Sequence, residues 1–159
     1  GEDVFGRFDY DRIPGSDDIK IRGNWQAKNI AAVTIPQLQG VKGAPKNGRI
    51  WVHRLVTQQC TKLFEAWEHD GLLDLVKTWE GSFAPRFVRG SATTLSNHAW
   101  GTAFDVNFAW NRLGTLPALR SQPGSVRELV PRANELGFYW GGHFSRRDGM
   151  HFEVARVLG

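Results

Sequence analysis

The sequence predicts an α+β fold, an antiparallel sheet with flanking helices. Three observations carry this. Apolar residues recur at three- and four-residue spacing after residue 50, and again after Ser125, each run reading as a helix with one buried face. Short apolar segments bounded by Gly and Pro lie between and beyond these runs and read as strands. Helical and strand patterns do not alternate regularly, which favours segregated layers over a parallel βαβ sheet.

In chain order, residues 1–50 are rich in Gly, Pro, Asn and Asp, with short apolar runs such as Ile30 to Ile35. They read as an irregular arm laid over the domain, with room for one short strand, leaving 51–159 as the core. Val52, Leu55, Val56, Gln59, Leu63, Phe64 and Trp67 then outline one helical face, closed by Asp70-Gly71. His53 falls in the first turns of that helix and, lacking a spaced partner, reads as a packed or surface histidine. A strand is expected around Leu75–Trp79, followed by a loop at Gly81 and Pro85, and another strand over Asp105–Phe108. Residues 114–124 hold two prolines and two glycines and read as a loop. Ser125 and Glu128 have the spacing of a capping box for a helix ending at Gly137, with Pro131 implying a kink or a late start. Phe138–Trp140 and Met150–Val154 read as strands on either side of a Gly-rich turn.

Composition narrows the function. The net charge is +4, which favours anionic polymers, among which nucleic acid, a membrane surface and a bacterial wall all qualify. No block of five like charges occurs, so a nucleic-acid-binding arm has little support, and the Arg146-Arg147 pair reads as a solvated turn. Cys60 is the single cysteine, which rules out an intrachain disulfide and reads as a small core residue rather than a nucleophile. No stretch has the length of a membrane span, no signal peptide is visible, and a monomer is the favoured state. The chain opens with Gly rather than Met, so its start reads as processed or replaced.

Two of the five histidines stand in unusual surroundings. One is in Ser96-Asn97-His98-Ala99-Trp100-Gly101-Thr102-Ala103-Phe104-Asp105, the other in Asp148-Gly149-Met150-His151-Phe152-Glu153. Together they offer imidazoles and carboxylates of the kinds that Zn²⁺ accepts. Three protein ligands would leave a fourth position for water, and a carboxylate outside the ligand set is needed to take the water's proton. Asp148, three residues before His151, is spaced to reach the same site. By spacing alone, packing or a surface role explains each residue singly about as well as ligation does.

The pattern Ser96-x-His98-x-x-Gly101-x-Ala103-x-Asp105, followed by Asp148-x-x-His151-Phe152-Glu153, resembles the zinc D-Ala-D-Ala carboxypeptidase and L-Ala-D-Glu endopeptidase family. The stretches Leu95–Gly101 and Met150–Glu153 are most similar to its phage endolysin and cell-wall hydrolase branch. The resemblance covers roughly 51–157 and does not reach the arm. It implies a hedgehog/DD-peptidase-like fold, one Zn²⁺ on His98, Asp105 and His151, and peptidoglycan as the partner. It further implies a general base at Asp148, where many members carry Glu, and an oxyanion-stabilising arginine upstream. Arg86 fits that position best and Arg89 competes for it. Ser96 resembles a substrate-contacting or supporting serine, with turn capping as the alternative. Trp140 is a candidate for lining the groove or for the core. His143 matches no ligand position and reads as surface, while Glu153 reads as a support for a ligand.

These features imply metal-assisted peptide hydrolysis at the cell wall, by a periplasmic, secreted or phage-delivered protein. An L-Ala-D-Glu endopeptidase is favoured over a D-Ala-D-Ala carboxypeptidase, because no long insertion near Gly141-Gly142 is available to form a lid. The rival of another class is a non-catalytic zinc-containing wall-binding module, as the hedgehog likeness suggests.

Overall fold

The computed structural model describes residues 1–158; Gly159, the last residue of the expected core, lies outside the described residues. The architecture is α+β, with three antiparallel sheets and short helices. The strands β5 (Trp79–Gly81), β6 (Ala103–Val106), β7 (Phe138–Trp140) and β8 (His151–Val154) form a four-stranded sheet in the order β5-β6-β8-β7.

Period-two alternation divides this sheet into two faces with different duties. In β6 and β8, Phe104 pairs with Phe152 and Asp105 pairs with His151. The two phenylalanines turn inward and are fully buried. Phe152 stacks on Phe104 at 5.5 Å, and Phe104 stacks on Trp79 at 5.6 Å. Asp105, His151 and Glu153 take the opposite face. One register therefore seats the core and presents the polar cluster.

Helix α3 (Thr57–His69) covers the apolar face, burying Cys60, Leu63, Phe64 and Trp67. The Trp67 indole donates to the Leu129 carbonyl at 3.0 Å, so its one polar atom is satisfied inside the core. The helix starts later than its periodicity suggests. Val52 and His53 belong to β4 (Arg49–His53), which pairs with β3 (Ile30–Thr34), and a single 3₁₀ turn at Arg54–Val56 joins β4 to α3. Buried positions in a strand and a turn happened to continue the helical spacing. His53 is fully buried, donating from Nε2 to the Phe5 carbonyl and accepting the Leu55 amide at Nδ1.

Other boundaries shift for local reasons. The strand expected at 75–79 is β5, displaced to 79–81 by a 3₁₀ turn at Leu73–Leu75. The strand expected at 105–108 lies at 103–106, because Asn107 turns into the left-handed region (φ 59°). Its buried amide accepts from the backbone of Lys77 and Thr78 and donates to the carbonyls of Leu75 and Gly124, tying three loops together. The last helix, α4, spans Val130–Glu135 after a 3₁₀ turn, a late start with Pro131 in its first turn. Ser125 accepts the Arg127 amide as expected of a cap, but Glu128 pairs with Arg120 instead of closing a capping box.

The first fifty residues are more regular than an irregular arm. They hold α1 (Glu2–Phe5), the hairpin β1 (Tyr10–Arg12) and β2 (Ile19–Ile21), α2 (Trp25–Asn29) and β3. Phe5, Ile35, Leu38 and Ile50 join the same hydrophobic core as α3 and the large sheet. Among the described residues, no helix is long and apolar enough to cross a membrane.

Candidate metal centre

His98, Asp105 and His151 come together from two distant stretches of chain. His98 lies in a 3₁₀ turn (Asn97–Trp100) whose first amide group is capped by Ser96, the Ser96 hydroxyl accepting from the His98 amide at 3.2 Å. Gly101 ends that turn with φ 71°. Its carbonyl accepts the His53 amide, and a Cβ there would lie 2.7 Å from the His53 nitrogen, so a side chain would be excluded both by conformation and by space. Asp105 and His151 come from facing positions on β6 and β8.

The three side chains form a tight triangle. His98 Nε2 is 3.2 Å from His151 Nδ1 and 3.2 Å from Asp105 Oδ2, and His151 Nδ1 is 3.2 Å from Asp105 Oδ1. Both outward ring nitrogens are engaged by groups that can only accept. His98 Nδ1 donates to the Ser82 carbonyl at 2.7 Å, and His151 Nε2 donates to Glu153 Oε1 at 2.8 Å. With the outer nitrogens so engaged, a ring without a second proton aims its lone pair into the triangle, and a ring that carries one donates there instead. Three acceptors converging in a buried place require a cation among them, a proton or a metal ion.

The electrostatics agree. Burial alone would raise the Asp105 carboxyl, but hydrogen bonds from His151 and His98 hold it well below the usual carboxylate range. Burial alone would lower the His151 imidazolium, but Asp105 and Glu153 outweigh it and raise its pKa to about 9. Glu153 sits below its ordinary value, burial being overcome chiefly by the contact with His151.

Zinc ligands held at about 2.0–2.1 Å in tetrahedral geometry stand about 3.3 Å apart, close to the edges of this triangle. The donor set thus fits a zinc ion. Among the described residues, no other group of three metal-ligating side chains converges in this way.

The triangle opens into a cleft of about 880 Å³ that also receives Asp148, Arg86 and Arg89. The Asp148 and Phe144 amides both donate to the Gly141 carbonyl, and the His151 amide donates to Asp148, so the loop 141–151 is a closed unit. It aims Asp148 Oδ2 at His151 Nδ1, 4.0 Å away, and leaves Asp148 Oδ1 buried without a partner. Burial pushes the Asp148 carboxyl above its ordinary range, against the attraction of His151. A carboxylate with a raised pKa that lines the cleft beside a cation site is suited to accept a proton from water.

Arg86 is seated by the N-terminal segment. It bridges backbone-to-backbone with Asp18, and the Ile19 and Phe87 amides donate to Pro85 and Asp17 on either side. Its half-buried guanidinium donates to the Phe87 carbonyl and feels Asp105 and Asp148, although burial is the stronger influence and lowers its pKa. Arg89 is exposed and paired with Asp17 at 3.0 Å, which engages its charge at the surface end of the cleft lining. Arg146 lines the outer cleft and donates to the Arg89 carbonyl, while its neighbour Arg147 is exposed.

The remaining candidates separate by position. Ser96 lines the cleft but its hydroxyl oxygen is engaged as the cap. Trp140 lies in the core at 3% exposure, donating to the Gly149 carbonyl at 2.8 Å, and so braces the 141–151 loop from behind instead of facing the groove. His143 is exposed beside the Trp140 ring. Two contributors escape sequence reasoning. Ser82 acts through its carbonyl, which leaves no side-chain signature, and Asp18 reaches the cleft from a segment with no motif.

Residues 89–154 match the family model of the D-alanyl-D-alanine carboxypeptidases. Over that segment the chain is similar to this peptidase family. The match contains the whole triangle and Asp148, and it leaves out Arg86 and the first 88 residues. No curated protein and no solved structure matches the chain.

Proposed function

We propose that the protein is a zinc-dependent peptidase that cleaves the stem peptide of bacterial peptidoglycan, acting at the wall. The observation that carries this reading is the triangle of His98, Asp105 and His151 with the Asp148 carboxylate beside it, inside the segment that matches a peptidase family.

His98, Asp105 and His151 would hold the ion. When bound, zinc supplies Lewis acidity to a water molecule and to the scissile carbonyl. Asp148 takes the water's proton on its carboxylate and passes it to the leaving amine. Arg86 directs its donors at the oxyanion that forms as the carbonyl becomes tetrahedral. Glu153 and the Ser82 carbonyl keep the two imidazoles in the required tautomers and orientation.

Within this class, cleavage inside the stem, with L-Ala-D-Glu as the bond, is favoured over release of terminal D-Ala. Two further hollows adjoin the cleft, one sharing Gly81, Ser82 and Phe83 with it and the other Thr94 and Leu95. A substrate chain can therefore run through, whereas a carboxypeptidase closes on a free terminus. Digestion of purified wall, with the fragments identified by mass, tests the reading. New amino termini at D-Glu are expected. Free D-Ala with the rest of the stem intact would establish the carboxypeptidase instead, and zinc-loaded protein that binds wall without cutting it would establish a binding module.

A further inference from the structure

We propose that the hollow next to the metal cleft, built around Trp51, is a sugar subsite that takes the N-acetylhexosamine to which the stem peptide is attached. This rests on the reading of the chain as a peptidoglycan peptidase.

The strand β4 alternates, with Ile50 and Val52 buried and Arg49 and Trp51 outward. Directly across from Trp51 on β3 stands Ala32, and across from Arg49 stands Thr34, so no large neighbour covers the indole from the facing strand. Trp51 is 49% exposed, the most of the seven tryptophans. The Arg49 guanidinium lies 5.4 Å from its ring centroid, beside a hollow of about 390 Å³ that Gln26, Ser82 and Phe83 also line.

This hollow is mechanically tied to the metal centre. The Ser82 hydroxyl donates to the Trp51 carbonyl at 2.6 Å, and the Ser82 carbonyl accepts from His98 Nδ1 at 2.7 Å. One residue thus fixes both the platform and a proposed ligand, and a substrate spanning them meets a set distance between its ring and its scissile bond.

Charge selects the occupant. Among the described residues no carboxylate lines the hollow, and Arg49 is its one cation. The metal cleft next door is of mixed charge, lined by Asp18, Glu80, Asp105, Asp148 and Glu153 and by Arg86, Arg89 and Arg146. A neutral or anionic group therefore suits the hollow. A pyranose offers a flat C–H face to an exposed indole, and its hydroxyl and acetamide oxygens accept from Arg49 and Gln26. The sugar is joined by an amide to the first residue of the stem, so it lies one residue from the L-Ala-D-Glu bond, as adjacent subsites require.

The test is titration of the zinc-loaded protein with the peptide-free disaccharide of N-acetylglucosamine and N-acetylmuramic acid, read by indole fluorescence or NMR. Saturable binding is expected, weakened about three- to tenfold in Trp51→Ala and in Arg49→Ala. Circular dichroism checks that the variants are folded, and Trp51→Phe, which keeps an aromatic face, should bind between the two. In parallel, the ratio of kcat/KM for a muramyl-stem substrate over the bare stem peptide should exceed one and fall toward one in Trp51→Ala. No disaccharide binding by the parent, or binding and a ratio that Trp51→Ala leaves unchanged, overturns the subsite. Disaccharide binding that depends on Trp51, with neither peptide cut, supports the subsite and overturns the peptidase reading alone.

Discussion

Glu153 holds the imidazole of His151 by its outer nitrogen, Oε1 to Nε2 at 2.8 Å, and so turns Nδ1 toward His98 and Asp105. The two residues sit two positions apart on β8, on the same face, and no loop intervenes. Removing the charge of Glu153 should loosen that orientation. Glu153→Gln is expected to weaken zinc affinity about 10–100-fold while leaving the fold intact. Competition against a chromophoric chelator measures this, and unchanged affinity would show that Glu153 does not support the site.

The metal-free protein should lose stability as the solution becomes alkaline. The His151 pKa is raised in the folded state from its ordinary 6.5 to about 9, so its contribution is complete below pH 6.5 and disappears as pH rises through 9. The buried Cys60 thiol, pushed up to about 12, opposes folding at high pH equally with and without metal. The gap in melting temperature between zinc-loaded and chelated protein should therefore widen from pH 6.5 to pH 9. A gap that stays constant would contradict the proton-or-metal picture of the triangle.

Ligands and base should separate in their response to substitution. About one zinc per chain is expected, and His98→Ala, Asp105→Ala and His151→Ala should each lose both metal and hydrolysis. Asp148→Ala should retain the metal and lose turnover about 10²–10⁴-fold. Metal analysis beside a hydrolysis assay distinguishes the two groups. A fast Asp148→Ala enzyme would remove it from the mechanism.

The two arginines should differ for a geometric reason. Arg86 is half-buried in the cleft, whereas the Arg89 guanidinium is spent on Asp17 at the surface. Arg86→Ala is expected to lower kcat more than it raises KM, since an oxyanion exists only beyond the ground state. Arg89→Ala should change neither much. Steady-state kinetics on both variants decides, and the opposite pattern would assign the role to Arg89.

The triangle was legible in the sequence because its members are side chains with restricted chemistry, set in two short motifs. The α+β class was legible because α3 and the strands β7 and β8 carry strong periodic patterns. What sequence reasoning could not reach acts through the backbone or over long separations. The Ser82 carbonyl serves as a partner for His98 whatever its side chain, and Arg86 is seated by Asp17, Asp18 and Ile19 some seventy residues earlier. The start of α3 was misplaced because the buried Val52 and Val56 continue a helical spacing while β3 captures Val52 for a sheet.

The facing of Asp105 and His151 across β6 and β8 has a consequence for how the protein comes into being. Side chains in a strand alternate sides, so a slip of one residue would send one of the two to the side where Phe104 and Phe152 stack. A slip of one residue yields no weakened version of the site; it yields none. Under the proposed function, a chain that collapses with these strands one residue out of step is hydrolytically silent, and competence to cut arrives with the native alignment, as a proofread outcome of folding.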